Sequence, residues 1–174
     1  LFRSNYALGN ATSDELPKAA IRALEDGYDT PSLRILAWLE SPWEIDVCLK
    51  RVAEESGVKI PSKKEAAIIL INRYTQLIID QAIEPIEGLY HIINDALRKT
   101  DCFGPDHKYV YDRIAFHTLY GLYDSYDDMN NPNMLFSEAQ RIQGIKEIKQ
   151  RVLVEAEIFQ TEFHRIVSGT NDPR

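Results

Sequence analysis

Helix starts and stops are written into this chain so densely that little room is left for other secondary structure. Thr30-Pro31 puts a hydroxyl at an N-cap and proline at the first helical position, where a missing amide proton costs nothing. Ser41-Pro42-Trp43-Glu44 does the same and adds a capping box, with Glu44 reaching back to the Ser41 amide. Ser62-Lys63-Lys64-Glu65 spells a second box. Gly27 and Gly57 follow helically spaced apolar runs, where a helix can end in the left-handed backbone that glycine tolerates.

Between these signals the apolar residues keep a helical period. Ser13 and Asp14 can cap a first helix through Leu16, Ala20, Ile21 and Leu24. A second carries Leu33, Leu36, Ala37 and Leu39, and a third Ile45, Cys48, Leu49 and Val52. The fourth, from Ser62, is apolar around most of its circumference between Ala66 and Ile71. An isoleucine-rich run can also be a strand, but length, cap and an i, i+4 pattern through Leu77 decide for helix. Glu84-Pro85 opens a fifth, running to about Arg98, with Ile86, Leu89, Tyr90, Ile93 and Leu97 inward. Residues 100–106, with Gly104-Pro105, form a loop that is the best boundary candidate yet reads as a turn between helices. A sixth helix spans about 108–128 and is aromatic on nearly every side. The last runs over about 137–167, with a stripe of Ile142, Ile145, Ile148, Val152, Leu153, Ala156, Phe159, Phe163 and Ile166. The expectation is an all-α single domain over 1–174, an array or bundle of about six to eight helices with a long C-terminal amphipathic one. The fourth and sixth helices should be the most buried, with 1–12 and 168–174 as frayed ends.

Composition narrows the classes of function. A chain of 174 residues can bury a sizeable core. A net charge of −7, without segregated basic residues beyond the short doublets Lys63-Lys64 and Arg98-Lys99, argues against nucleic acid. No run approaches the length of a membrane span, and Leu1-Phe2-Arg3-Ser4-Asn5 lacks the apolar core of a signal peptide. Two cysteines, Cys48 and Cys102, form neither a CxxC motif nor a disulfide framework. A reduced, cytoplasmic protein with no membrane partner is expected.

The residues that can carry chemistry are few. Tyr120, Tyr123 and Tyr126 recur at i, i+3 and i+6, with Asp124, Asp127 and Asp128 on a neighbouring face. Three carboxylates at a helix C-terminus oppose its dipole, so the arrangement has a local cost. Carboxylates that steer and tyrosines that anchor suit a basic partner, and these six residues are the candidate partner-binding set. The plainer alternative makes the tyrosines core and the aspartates a solvated helix end. Glu87 with His91 and Glu157 with His164 share helix faces and can each supply two metal ligands, but neither spells a metal-site motif. Cys48, mid-helix beside Val47 and Leu49, reads as a buried, inert thiol. No serine-nucleophile elbow, phosphate-binding loop or dinucleotide fingerprint is present, and neither cofactor nor metal is expected. The first two helices have helix-turn-helix lengths, but the second offers Arg34 as its one basic group. Trp38 and Trp43 flank a corner and are expected to pack there; exposure of either would mark a partner site.

Residues 23–37, Ala-Leu-Glu-Asp-Gly-Tyr-Asp-Thr-Pro-Ser-Leu-Arg-Ile-Leu-Ala, resemble small all-helical bacterial proteins of unassigned function. The resemblance reaches to about Leu97 and includes Ile83-Glu84-Pro85-Ile86-Glu87-Gly88. It implies a bacterial origin and a helical fold, and carries no activity. In charge, size and the Tyr/Asp cluster the chain is also similar to acidic immunity proteins that neutralise bacterial toxins. The leading expectation is a non-enzymatic module that binds a basic protein. The alternatives are a small ligand- or metal-binding helical enzyme with His91 or His117 in a pocket, and a structural module that self-associates through the last helix.

Overall fold

The local signals above produce eight α-helices among the described residues, which are 2–11, 15–101, 103 and 109–169 of this computed structural model. They are α1 (Phe2–Ala7), α2 (Glu15–Glu25), α3 (Pro31–Leu36), α4 (Pro42–Glu55), α5 (Lys63–Ile79), α6 (Pro85–His91), α7 (His117–Asn130) and α8 (Glu138–Val167). No strand occurs among the described residues, and no helix there is long and apolar enough to cross a membrane. The chain falls into two compact units, residues 1–66 and 67–174, divided inside α5. The proposed caps Ser13 and Asp14 lie outside the described residues, as do Cys102 and His107.

In the first unit the caps act largely as written. The Leu33 amide donates to Thr30 Oγ1 at 3.2 Å, with Pro31 in the first turn of α3. The Ser62 amide donates to Glu65 at 2.7 Å, and the Glu65 amide to Ser62 Oγ at 3.3 Å. Ser41 is an N-cap by backbone conformation only; its hydroxyl makes no capping bond, so the expected box with Glu44 does not form. Gly27 and Gly57, at φ +89° and +62°, close α2 and α4 in the left-handed region. The core is Leu16 and Ala20 of α2, Leu33 and Leu36 of α3, Ala37, and Ile45 and Cys48 of α4. Glu55 ties α4 to the start of α3, accepting from the Ser32 amide at 3.0 Å and the Ser32 hydroxyl at 2.6 Å. These bonds hold its carboxyl below the ordinary range. Residues 2–7, expected to fray, form α1. It is held by a bond from the Tyr6 hydroxyl to Asp46 and by Arg3, which donates to the Lys59 carbonyl at 3.2 Å.

In the second unit α5 has the burial expected of it, with Ala67, Leu70, Ile71 and Ile78 wholly enclosed. α6 starts where Glu84 accepts from the Ile86 and Glu87 amides at 2.9 and 3.0 Å; the same carboxylate meets Lys149 of α8 at 3.0 Å. Its helical path widens into a π turn over Ile92–Ala96 and tightens into a 3₁₀ turn over Leu97–Lys99. α8 begins with a capping box between Ser137 and Gln140 and buries Ile148, Val152, Ala156, Phe159 and Phe163. Phe159 stacks on Phe163 and meets Phe116 edge-on, both at 5.2 Å between centroids.

Three further expectations do not hold. The sixth predicted helix is shorter than 108–128, because Tyr111 and Ala115 take left-handed backbone, at φ +58° and +62°, around a short 3₁₀ turn. That break sends Phe116 into the core and starts α7 at His117. α7 is also not among the most buried helices, since Leu119 is its one buried residue. Its tyrosines and aspartates belong at a boundary, and the burial falls instead to α6, its π extension and α8. Periodicity also places Ile21, Ile69, Tyr90 and Ile142 with the apolar faces, and all are exposed.

Candidate functional site

α7 packs on α8 and α6 through one edge, which fixes the setting of its tyrosines and aspartates. Tyr120, Tyr123 and Tyr126 are half-buried, while Asp124, Asp127 and Asp128 are exposed. The tyrosines are therefore neither core nor fully presented. Tyr120 is braced edge-on by Tyr111, 5.4 Å between centroids. No basic residue stands in the last turn of α7, so nothing on the helix itself offsets the carboxylates there.

Two residues from other elements act electrostatically on this face. Arg98 of the 3₁₀ turn acts on both Tyr123 and Asp124, and Tyr90 of α6 acts on Tyr123. Partial desolvation of this otherwise exposed side chain, and then the charges of Asp127 and Asp128, push the Asp124 carboxyl up; Arg98 opposes the shift without cancelling it. Burial and then Asp127 likewise push the Tyr123 phenol up. Tyr90 is 50% exposed, against its inward assignment by periodicity. The signal for it lay in the row Tyr90, Asn94, Arg98 at i, i+4, i+8, which is polar. The Asn94 side-chain Nδ2 donates to the Tyr90 carbonyl at 2.9 Å, and Arg98 donates to Asn94 Oδ1 at 2.8 Å.

The three described histidines, His91, His117 and His164, make no contact with one another. His91 Nδ1 lies 2.7 Å from Asp95 Oδ2, one turn onward from His91 and on the opposite side from the predicted partner Glu87, which lies one turn before it. Its ring stacks on Tyr74, 4.7 Å between centroids and 9° between planes. His117 lies against Tyr109, and His164 is exposed. Among the described residues no group of three or more His, Cys, Asp or Glu could hold a metal ion. Cys48 is buried, its thiol donates to the Ser32 carbonyl at 3.2 Å, and burial pushes it up, as befits an inert thiol.

The largest departure from expectation is at the α3–α4 corner. Trp38 and Trp43 do not pack into it; they are 85% and 81% exposed. The corner is filled by Leu36, Ala37 and Ile45, all buried. Ile45, Cys48 and Val52 face inward on α4, so Trp43 and Val47, at i and i+4, fall on the outer side. Ile35 and Val47 are exposed on the same two helices, and Glu40 and Glu44 are exposed beside the indoles. No family model, curated protein or solved structure matches this chain.

Proposed function

We propose that the chain is a non-enzymatic binding protein for a basic protein partner. The observation that carries this reading is the near-complete exposure of Trp38 and Trp43 beside Glu40 and Glu44. Two large indoles left in water have a standing hydrophobic cost that a partner would relieve, and tryptophan is enriched among residues that dominate binding energy. Neighbouring carboxylates favour a cationic partner and raise its rate of encounter. The face of Tyr123, Asp124, Tyr126, Asp127 and Asp128, with Tyr120 behind it, offers the same pairing of aromatic and acid, and its crowded carboxylates would be relaxed by a cation. A small basic toxin, neutralised by this acidic chain, is the most specific form of the reading.

The test uses the two tryptophans, the only ones in the chain, as reporters. A basic partner recovered from the native organism should shift their emission to the blue on mixing. Trp38→Ala with Trp43→Ala should abolish recovery, and added salt should weaken it. Recovery that ignores both substitutions and salt would end the proposal. A second reading, self-association through α8, is favoured by Val154 and Ile158, exposed on successive turns. Light scattering at rising concentration distinguishes the two.

A further inference from the structure

The first unit contains a cleft of about 200 Å³ between α2, α3 and α4. Protein interiors seldom leave voids much larger than one water, and an apolar cavity of about 150 Å³ is enough to take benzene. The walls are apolar side chains, among them Leu16, Leu36, Leu49 and Val52. Ala19, Ala20 and Ala23 stand on the α2 side, where longer residues would fill the space. Water inside would find few partners, so an apolar body is the occupant such walls favour.

The polar groups gather at the edge. Arg3, Tyr28 and Ser56 line the cleft, and all three can donate. The Tyr6 hydroxyl also lines it but is committed to Asp46. Ala53, Val58 and Ile60 are shared with a shallower depression that adds Lys50, Lys59 and Glu54. Lys50 and Lys59 belong to that depression, and Lys59 meets Glu65 at 3.3 Å; Arg3 lines the cleft itself and, with Nη1 on the Lys59 carbonyl, keeps further guanidinium donors for a ligand.

The geometry points to a binding site for a small amphipathic monocarboxylate, its apolar body against the alanines of α2 and its carboxylate at Arg3. By comparison with the benzene-sized cavity, the body would be about six to eight carbons. A guanidinium and a carboxylate form a charge-assisted pair that a neutral head group cannot reproduce. The site is separate from the exposed indoles and does not depend on their role.

The test is calorimetric titration of the full chain with octanoate and with octanol. Octanoate should bind and raise the unfolding temperature, and octanol should bind at least about tenfold more weakly. Arg3→Ala also removes the bond to the Lys59 carbonyl, so it is first checked for an unchanged unfolding temperature without ligand; it should then bring octanoate down to the level of octanol. Ala23→Leu, checked for a cooperative unfolding transition, should block both. Equal affinity for the acid and the alcohol would overturn the proposal. So would the absence of octanoate binding at millimolar concentration, or binding that survives Ala23→Leu.

Discussion

A Cβ atom built on Gly88 would lie 2.4 Å from Cγ1 of Ile78 and 2.7 Å from its Cδ1, so α5 and α6 touch at a point where only glycine fits. Ile78 is wholly enclosed and has no free space to retreat into. Gly88→Ala sets two effects against each other. Alanine gains about 1 kcal/mol of helix propensity, while overpacking a closed site costs about 1–3 kcal/mol. The overpacking should win, with a net loss of about 1 kcal/mol and a lower urea midpoint. Gly144 is the control. There the close atoms are Met129 Sδ at 2.9 Å and Cε at 3.1 Å, the flexible end of a half-buried side chain. Gly144→Ala should be neutral or mildly stabilising.

Thr75 is buried in α5, and its hydroxyl has no hydrogen-bond partner. An unmade buried bond leaves a desolvation cost of about 1–3 kcal/mol standing in the folded state. Thr75→Val removes the hydroxyl while nearly keeping the shape. It should raise stability by about 1 kcal/mol in chemical denaturation. A loss on this substitution would show that the hydroxyl is satisfied in solution.

Glu65 makes the start of α5 acid-sensitive. Bonds from the Ser62 amide and hydroxyl, and then Lys59, lower its carboxyl from the ordinary 4.5 to about 2. A depressed native pKa means the folded chain holds the proton more weakly than the unfolded one. The contribution is therefore fully present above about 4.5 and is lost as pH falls through the native value near 2. Glu65 is exposed, so salt should attenuate the Lys59 part and leave the amide bond. Glu65→Gln should flatten the stability profile in that window, measured by denaturant midpoints from pH 5 to pH 2.

How much was legible follows from where the cause sits. The Thr30 cap and the Ser62–Glu65 box involve neighbours in sequence, and both form as read. The Ser41 box uses the same letters and does not form, although Thr30, also followed by proline, keeps its cap. The left-handed Tyr111 and Ala115 carry no local signal. Non-glycine residues take that backbone under tertiary demand, here to bring Phe116 against Phe159. The exposed tryptophans were readable in part: with Ile45 and Cys48 inward, Trp43 had to face out. For the candidate site, the spacing on α7 was legible. The contribution of Tyr90 and Arg98 was not, since they come from other elements and act on α7 only once the chain is folded.

Asp124, Asp127 and Asp128 should trade stability against binding. All three sit in the C-terminal half of α7, where carboxylates oppose the helix dipole. The raised Asp124 carboxyl carries the same sign: its neutral form is favoured in the fold, so stability is fully present below the ordinary 3.8 and falls as rising pH ionises it. Replacing the three with Asn should therefore stabilise the protein at neutral pH, by about 0.5–1 kcal/mol after allowance for solvent screening. The same variant should bind a basic partner more weakly and with a shallower dependence on salt. Denaturation midpoints and binding isotherms at two ionic strengths measure the two effects separately. A variant that gains stability and keeps its affinity would show these carboxylates to be a solvated helix end. One that gains stability and loses affinity would account for a costly arrangement being kept.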